Sequence, residues 1–379
     1  MPDDNARQSA RQSVRQSVLL LDTSKEFRGG QRQLTLLAGG LRDLGRDVHI
    51  GLRPERPLHQ RLRDEGYPLL FLDPKFEGAP GSVFKVARYV DDHAIPVINS
   101  QTSHDHTLGW FAQGRAKSRP VHVVTRRVDF APKSGWFHRR KYGRGADHYI
   151  AISEAIRRVL LDWGIPGERA TRIYSSVTPI EQVEGARESV LAEFGLEPET
   201  ILLGNVAGLV DHKGQRYLID AVDRVIAERP NVVLLIAGDG PLRGELEAAT
   251  QSLKGHDRIK FLGWRQDIPR LLSALDLFVM TSHMEGLCTS ILDAMSARVP
   301  VVATKAGGIP EIVRDGETGW LAENKNPSDI AARILHALDD TESTRIRVEN
   351  AAKMVETEFS VREMSRSTAE LYARLVAQR

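Results

Sequence analysis

Leu277-Phe278-Val279-Met280-Thr281-Ser282-His283-Met284-Glu285-Gly286-Leu287-Cys288-Thr289-Ser290-Ile291-Leu292-Asp293-Ala294-Met295 reads as a strand, a turn and a helix in direct succession. The apolar run Leu277–Met280 has the length of a buried strand. Glu285 and Gly286 fall in the turn, and the helix is predicted to start near Thr289 or Ser290. A helix amino end with a glycine before it suits a phosphate, because its first N–H groups are free. Glu285 and Asp293, eight positions apart, then reach opposite ends of one elongated polar ligand. Asp293 has a second reading: Ser290-x-x-Asp293 is also capping-box-like, its carboxylate serving only a backbone N–H. The residues alone leave both open.

The same unit recurs on either side. Ile201–Val206, Val232–Ala237, Lys260–Leu262 and Val301–Ala303 read as buried strands, and Tyr217–Glu228, Leu242–Leu253, Ile268–Leu275 and Ser290–Ala297 as helices. Strands alternating with helices imply a parallel sheet covered on both faces. The first half repeats the pattern, with strands at Val18–Leu21, Val48–Gly51, Leu69–Leu72, Val97–Asn99, Val121–Thr125 and Tyr149–Ile152. Gln31–Leu44 has helical spacing, with Leu34, Leu37, Leu41 and Leu44 on one face. A less regular patch near Ser175–Gly185 separates the halves. The 379 residues therefore read as two doubly wound α/β domains, with a ligand cleft expected between them at the carboxyl ends of strands. The expected segments are a mobile basic tail over 1–17, a first domain over 18–175, a second over 176–358, and a terminal helix over 359–379.

Composition narrows the function. The hydrophobic share of 41% and charged share of 27% are those of a soluble globular protein. No apolar run approaches the roughly 20 residues that span a bilayer. Residues 1–17 lack the apolar core of a secretory signal. Cys288 is the only cysteine, which excludes an intrachain disulfide and a cysteine-rich zinc site. A reducing cytoplasm is the expected home. Residues 1–175 carry 29 Lys and Arg against 19 Asp and Glu, net +10, and the remainder 23 against 31, net −8. The first half thus favours an anionic partner such as a phospholipid surface, a lipid phosphate or an acidic glycan, unless the asymmetry is chance. The tail repeats Arg-Gln-Ser three times from Arg7.

Four strand-end loops of the second half suit a ligand. In Val206–Gly214, Lys213 sits at a loop-to-helix junction where its ammonium would neutralise a diphosphate; an ordinary surface lysine is the alternative. Gly238-Asp239-Gly240-Pro241 and Lys305–Glu311 are glycine-bearing turns of the same kind. The segment from Glu285 to Asp293 is the fourth. In the first half, Gly29 and Gly30 break the chain between strand and helix, either as a plain turn or as a close approach to an anion. His104 and His106 in Ser103-His104-Asp105-His106 have metal-like spacing but no further ligand, so a polar loop is favoured. Arg126 and Arg127 follow the strand at Val121. Lys133–Arg144 interleaves Trp136, Phe137 and Tyr142 with cations, which suits an interfacial or polyanion contact or a solvated loop.

Together these motifs resemble the retaining glycosyltransferases of family four, which have the GT-B fold. Lys213-Gly214, Gly238 to Pro241, Phe261-Leu262-Gly263, Glu285 to Asp293, and Gly307-Gly308-Ile309-Pro310-Glu311 stand in that family's order and spacing, and Gly29-Gly30 and Ala151-Ile152-Ser153-Glu154 match in the first half. The resemblance covers nearly the whole chain after residue 17. It implies that Glu285 contacts the donor sugar, that the backbone of Gly286, Leu287, Cys288 and Thr289 meets sugar or diphosphate, and that Asp293 holds the ribose. It further implies that Lys213 binds the diphosphate, that Gly208, Gly238 and Gly240 line the donor site, and that Trp264 and Arg265 lie near the base. Gly29 and Gly30 would close on the donor from the first domain, and the last helix would cross back to it. His104, His106, Arg126 and Arg127 are the acceptor-side candidates.

Three positions depart from the family. Asp293 replaces a glutamate, Gly208 an arginine and Arg127 a histidine, so Arg28 or Arg127 is the candidate substitute for the missing diphosphate partner. The catalytic candidates are Glu285, Lys213 and Arg127. No cofactor and no metal are expected, since no Asp-x-Asp cluster is present. The donor is expected to be a UDP or GDP sugar, and the acceptor a glycan or lipid-linked saccharide of lipopolysaccharide, capsule or other surface polysaccharide. No nucleic-acid partner is expected, and the protein is expected in the cytoplasm, either free or peripheral on the inner face of the cell membrane. A sugar epimerase or phosphorylase of the same fold, or a non-catalytic nucleotide-sugar binder, are the other readings.

Overall fold

The computed structural model describes residues 17–129 and 135–379. The expected tail, up to residue 16, and the segment 130–134 lie outside the described residues. The chain forms two compact units. The first runs to Ser176 and resumes over Val361–Arg379; the second is Val177–Ser360.

The first unit holds β1 (Val18–Asp22), β2 (Val48–Leu52), β3 (Leu69–Phe71), β4 (Val97–Ser100), β5 (Val121–Arg126), β6 (His148–Ala151) and β7 (Ala170–Arg172). Their order is β3-β2-β1-β4-β5-β6-β7, all parallel. β1 shows why its sequence is apolar throughout: Leu19 and Leu21 enter one core layer with Val86, Ile98 and Leu108, while Val18 and Leu20 enter the other with Leu34, Leu37 and Tyr372. Tyr372 belongs to the last helix, Val361–Ala377. That helix packs on the helix Gly29–Asp43, and a Cβ on Gly40 would collide with Ser365.

The second unit holds β8 (Ile201–Val206), β9 (Val232–Ala237), β10 (Ile259–Gly263), β11 (Leu277–Met280), β12 (Val301–Thr304) and β13 (Trp320–Ala322), in the parallel order β10-β9-β8-β11-β12-β13. Each sheet is wound outward in both directions from two central strands, β1 and β4 in one and β8 and β11 in the other. Loops leaving the carboxyl ends of such a pair diverge and open a crevice.

Several local expectations are corrected. Gly29 and Gly30 do not break the chain; they are the first two residues of the helix Gly29–Asp43. His104 and His106 lie in the first turn of the helix Ser103–Arg115 rather than in a loop, because Thr102 caps it by accepting from the Asp105 N–H at 3.1 Å. Trp136–Arg144 is a helix, not a loop. Beyond residue 176 the chain is less of a linker than its composition suggests: Ile180 N–H donates to Ser296 Oγ at 3.0 Å, Val183 N–H to Ser273 Oγ at 3.1 Å, and Ala186–Phe194 is helical. Among the described residues no helix is long and apolar enough to cross a membrane.

Candidate functional site

In the second unit, the loops after β8 and β11 bring Lys213 and Glu285 together. Lys213 Nζ donates to Glu285 Oε2 in a largely buried ion pair, and Ser282 Oγ donates to the same oxygen at 3.3 Å. The two loops are tied along their length. His283 N–H donates to His212 O at 2.9 Å, and Thr281 Oγ1 to Gly214 O at 3.0 Å. Gly214 has φ +67, and a Cβ there would collide with Thr281 O.

The loop after β12 seats Glu285 from the other side. Gly308 N–H donates to Glu285 O at 3.1 Å, and Thr304 Oγ1 to Ser282 O at 2.5 Å. Gly307 has φ +48, and a Cβ there would collide with the Glu285 carbonyl. Sequence reading had placed Gly307 and Gly308 in a ligand-competent loop; their contact with Glu285 is visible only in the fold. Ser282 was missed altogether, since a serine after a strand carries no signal.

The helix begins at Thr289, with Cys288 as its N-cap in the left-handed region at φ 69. A non-glycine residue there is held against its preference by the surrounding structure, a feature that gathers at functional sites. Ser290 is then the second helical residue and Asp293 the fifth, so the capping-box alternative for Asp293 fails on position. Asp293 is buried. Leu287 and Cys288 are buried too. Burial pushes the Cys288 thiol up to about 12, with the nearby Glu285 adding to the shift.

The remaining donor-side candidates divide. Cβ atoms on Gly238 and Gly240 would collide with the carbonyls of Ala207 and Leu209, so both are needed to pack the loop after β9 on the loop after β8. Gly208 has no such need: its Cβ would meet only Asp239 O, at 3.8 Å. Trp264 is 71% exposed after β10. Arg265 is committed to Glu193 at 2.6 Å and Asp267 at 2.8 Å, and the hydrogen bonds it donates to Asp267 and Glu193 hold its guanidinium further into the charged form.

In the first unit, a cavity of about 820 Å³ lies where β1 and β4 end; Arg28, Gly30, Gln101, His106, Arg126 and Arg127 are among its walls. Arg127 donates to Ser175 Oγ at 3.1 Å and Gln101 Oε1 at 2.9 Å, both neutral, and burial lowers its pKa to about 10, which leaves it charged at neutral pH. Arg126 is buried and donates to Tyr142 OH at 2.9 Å. His106 is fully buried, and burial drives its pKa well down, so the ring is neutral. Gly29 and Gly30 head their helix without steric need: a Cβ on Gly29 would meet nothing and on Gly30 only Arg127 Cδ, at 3.7 Å. Arg28, at the rim, pairs with Glu26 at 2.5 Å. Among the described residues no group of three His, Cys, Asp or Glu is placed to hold a metal ion.

Comparison with known proteins follows the same division. Residues 27–179 match the family model described as Glycosyltransferase Family 4, and residues 187–354 that described as Glycosyl transferases group 1. The chain is 28% identical over 214 residues to the N-acetyl-alpha-D-glucosaminyl L-malate synthase of Bacillus anthracis, covering 56% of each. It is 30% identical over 210 residues to the lipopolysaccharide core biosynthesis glycosyltransferase LpsE of Rhizobium meliloti, covering 55% of this chain and 59% of that one. The chain thus spans a little over half the length of these two relatives. Among solved structures it is similar to Anabaena HepE in complex with UDP and glucose, with 26% identity, a TM-score of 0.81, and coverage of 95% of this chain and 100% of that one.

Proposed function

The chain belongs to the family-four glycosyltransferases of GT-B fold, and we propose that it moves a sugar, with retention, from a UDP or GDP sugar to a glycan or lipid-linked acceptor. One observation carries this reading: Lys213 and Glu285 meet at the carboxyl ends of the two central strands of the second unit, beside the amino end of the helix Thr289–Ser296. An ammonium, a carboxylate and free amides gathered there match the three parts of a nucleotide sugar: Lys213 and the amides for the diphosphate, Glu285 for sugar hydroxyls, and Asp293 for the ribose. The UDP and glucose in the HepE structure support a nucleotide-sugar donor. The name of LpsE supports surface polysaccharide as the pathway class.

The chemistry asks little of a protein base. The anomeric carbon–phosphate oxygen bond breaks as the acceptor oxygen bonds the same face, and the leaving phosphate takes the acceptor proton. The protein supplies positioning and stabilises the charge that builds on the leaving group. We assign that stabilisation to Lys213 and the helix at Thr289. The helix at Pro310, Ile309–Ile312, is a single turn and adds little. This assignment makes the reaction independent of added divalent metal. Arg126, Arg127, His104 and His106 are proposed to face the acceptor, with Gly29 and Gly30 leaving a ligand room at the head of their helix.

Slow hydrolysis of a panel of UDP and GDP sugars by the purified protein tests this reading. The expected result is release of sugar with the donor's anomeric configuration, unchanged by EDTA and lost in Glu285→Ala. Recovery of an isomerised donor, or dependence on orthophosphate, contradicts a transferase.

A further inference from the structure

The helix Trp136–Arg144 has two chemically distinct sides. Lys141 and Tyr142 are buried; Lys141 pairs with Glu77 and donates to Ser103 O at 2.6 Å, and Tyr142 bonds Arg126. The other side carries Trp136, Arg139, Arg140 and Arg144, at helical spacings of three and four, all exposed. Among the described residues none of these three arginines has an acidic partner.

An aromatic surface continues from this helix across its neighbours. The Phe137 ring lies 6.2 Å from Trp110, and Trp110 lies 4.9 Å from Phe111. One turn beyond Phe111, the Arg115 guanidinium covers Phe84 at 4.5 Å. Phe84, Phe111, Trp136 and Phe137 are 53, 37, 76 and 36% exposed. Single exposed apolar residues need no explanation, but a connected set on three helices does.

We propose that this face of the first unit docks on the surface of a bilayer containing anionic phospholipid. Aromatic rings settle at the headgroup level, where one end is apolar and the other wet. The unpaired arginines find phosphates there at any lateral position, whereas a protein partner would have to supply carboxylates matched to each. The excess of 29 basic over 19 acidic residues before position 176 favours the same approach. The docking face belongs to the first unit and does not depend on the transfer reaction.

Co-sedimentation of the full chain with vesicles tests the proposal. The wild type is expected to pellet with phosphatidylglycerol–phosphatidylcholine vesicles and not with phosphatidylcholine alone, and to be released as salt rises. Arg139→Glu with Arg140→Glu is expected to reduce bound protein at least tenfold, and Trp136→Ala several-fold, with donor hydrolysis unchanged in both. Residues 1–16 are the same in all three proteins, so a basic tail does not account for the difference. Variants that pellet like the wild type overturn the proposal, as does equal binding to neutral vesicles. A wild type that ignores vesicles but forms a dimer dissolved by the same substitutions assigns the face to protein contact instead. Loss of donor hydrolysis in the wild type would sink the transferase reading and leave the vesicle result standing.

Discussion

Glu285 is fixed by three loops at once, and its surroundings make specific demands on single residues. A side chain at Gly307 is disfavoured twice, by φ +48 and by collision with the Glu285 carbonyl. Gly307→Ala is therefore expected to cost about 1–3 kcal/mol of stability and to lower donor hydrolysis more than tenfold by shifting Glu285; calorimetry and initial rates check both. Gly208 is the opposite case. With only Asp239 O at 3.8 Å from a new Cβ, Gly208→Arg is expected to fold normally and to bind the nucleoside diphosphate several-fold more tightly, measured by titration calorimetry. Weaker binding would mean that the diphosphate does not lie beside Gly208. Lys213→Ala strands the Glu285 carboxylate, so lost activity must be read beside the melting temperature, with a destabilisation of about 1–3 kcal/mol expected. The residue types of this site were legible in the sequence. Their pairing was not, because Lys213 and Glu285 are 72 positions apart and meet only through the winding of the sheet. The buried, proton-holding Cys288 is a poor alkylation probe for the same segment.

Among elements, most strands were legible from their apolar runs, but β7 and β13 were not. β1, β8, β9 and β11 are buried along nearly their whole length, so hydrophobicity marks them. β7 and β13 have three residues each and carry no periodic signal. The helix Trp136–Arg144 was hidden by its charge, since its inward side holds Lys141 rather than an aliphatic stripe. The terminal helix was legible, but its partner surface was not. Gly40→Ala would force the helices Gly29–Asp43 and Val361–Ala377 apart at Ser365 and is expected to cost about 1–3 kcal/mol. Adding Ser365→Gly removes two of the three crowding atoms, leaving Val361 Cγ1 at 3.0 Å, and is expected to restore part of that loss, as a double-mutant cycle by denaturant unfolding will read.

At the scale of the whole molecule, the two units differ in their response to acid. His122 and His148 are buried in the first unit with pKa values lowered to about 4, and the pKa of His106 is lowered as well; burial is the main cause in each. A lowered histidine stays neutral in the folded state while the unfolded chain takes a proton near pH 6.5, so its contribution is lost as pH falls from about 6.5 towards 4. Each of the two at about 4 is worth at most roughly 3 kcal/mol. Asp105, raised to about 6 by burial and by Asp22, acts in the opposite sense: its penalty is relieved as pH falls through 6. Three histidines outweigh one aspartate. The first unit is expected to lose stability between pH 7 and pH 5 ahead of the second, seen by hydrogen exchange resolved to peptides; loss in step across both units contradicts this.

The Lys213–Glu285 site is proposed to grip the sugar and diphosphate of a donor. Thermal shift of the wild type and Glu285→Gln, each with a nucleotide sugar and with its parent nucleoside diphosphate, tests it most directly. One UDP or GDP sugar is expected to stabilise the wild type more than its diphosphate does, and Glu285→Gln to keep the diphosphate shift but lose the extra stabilisation from the sugar. A Glu285→Gln protein that still distinguishes sugar from diphosphate as the wild type does would contradict it.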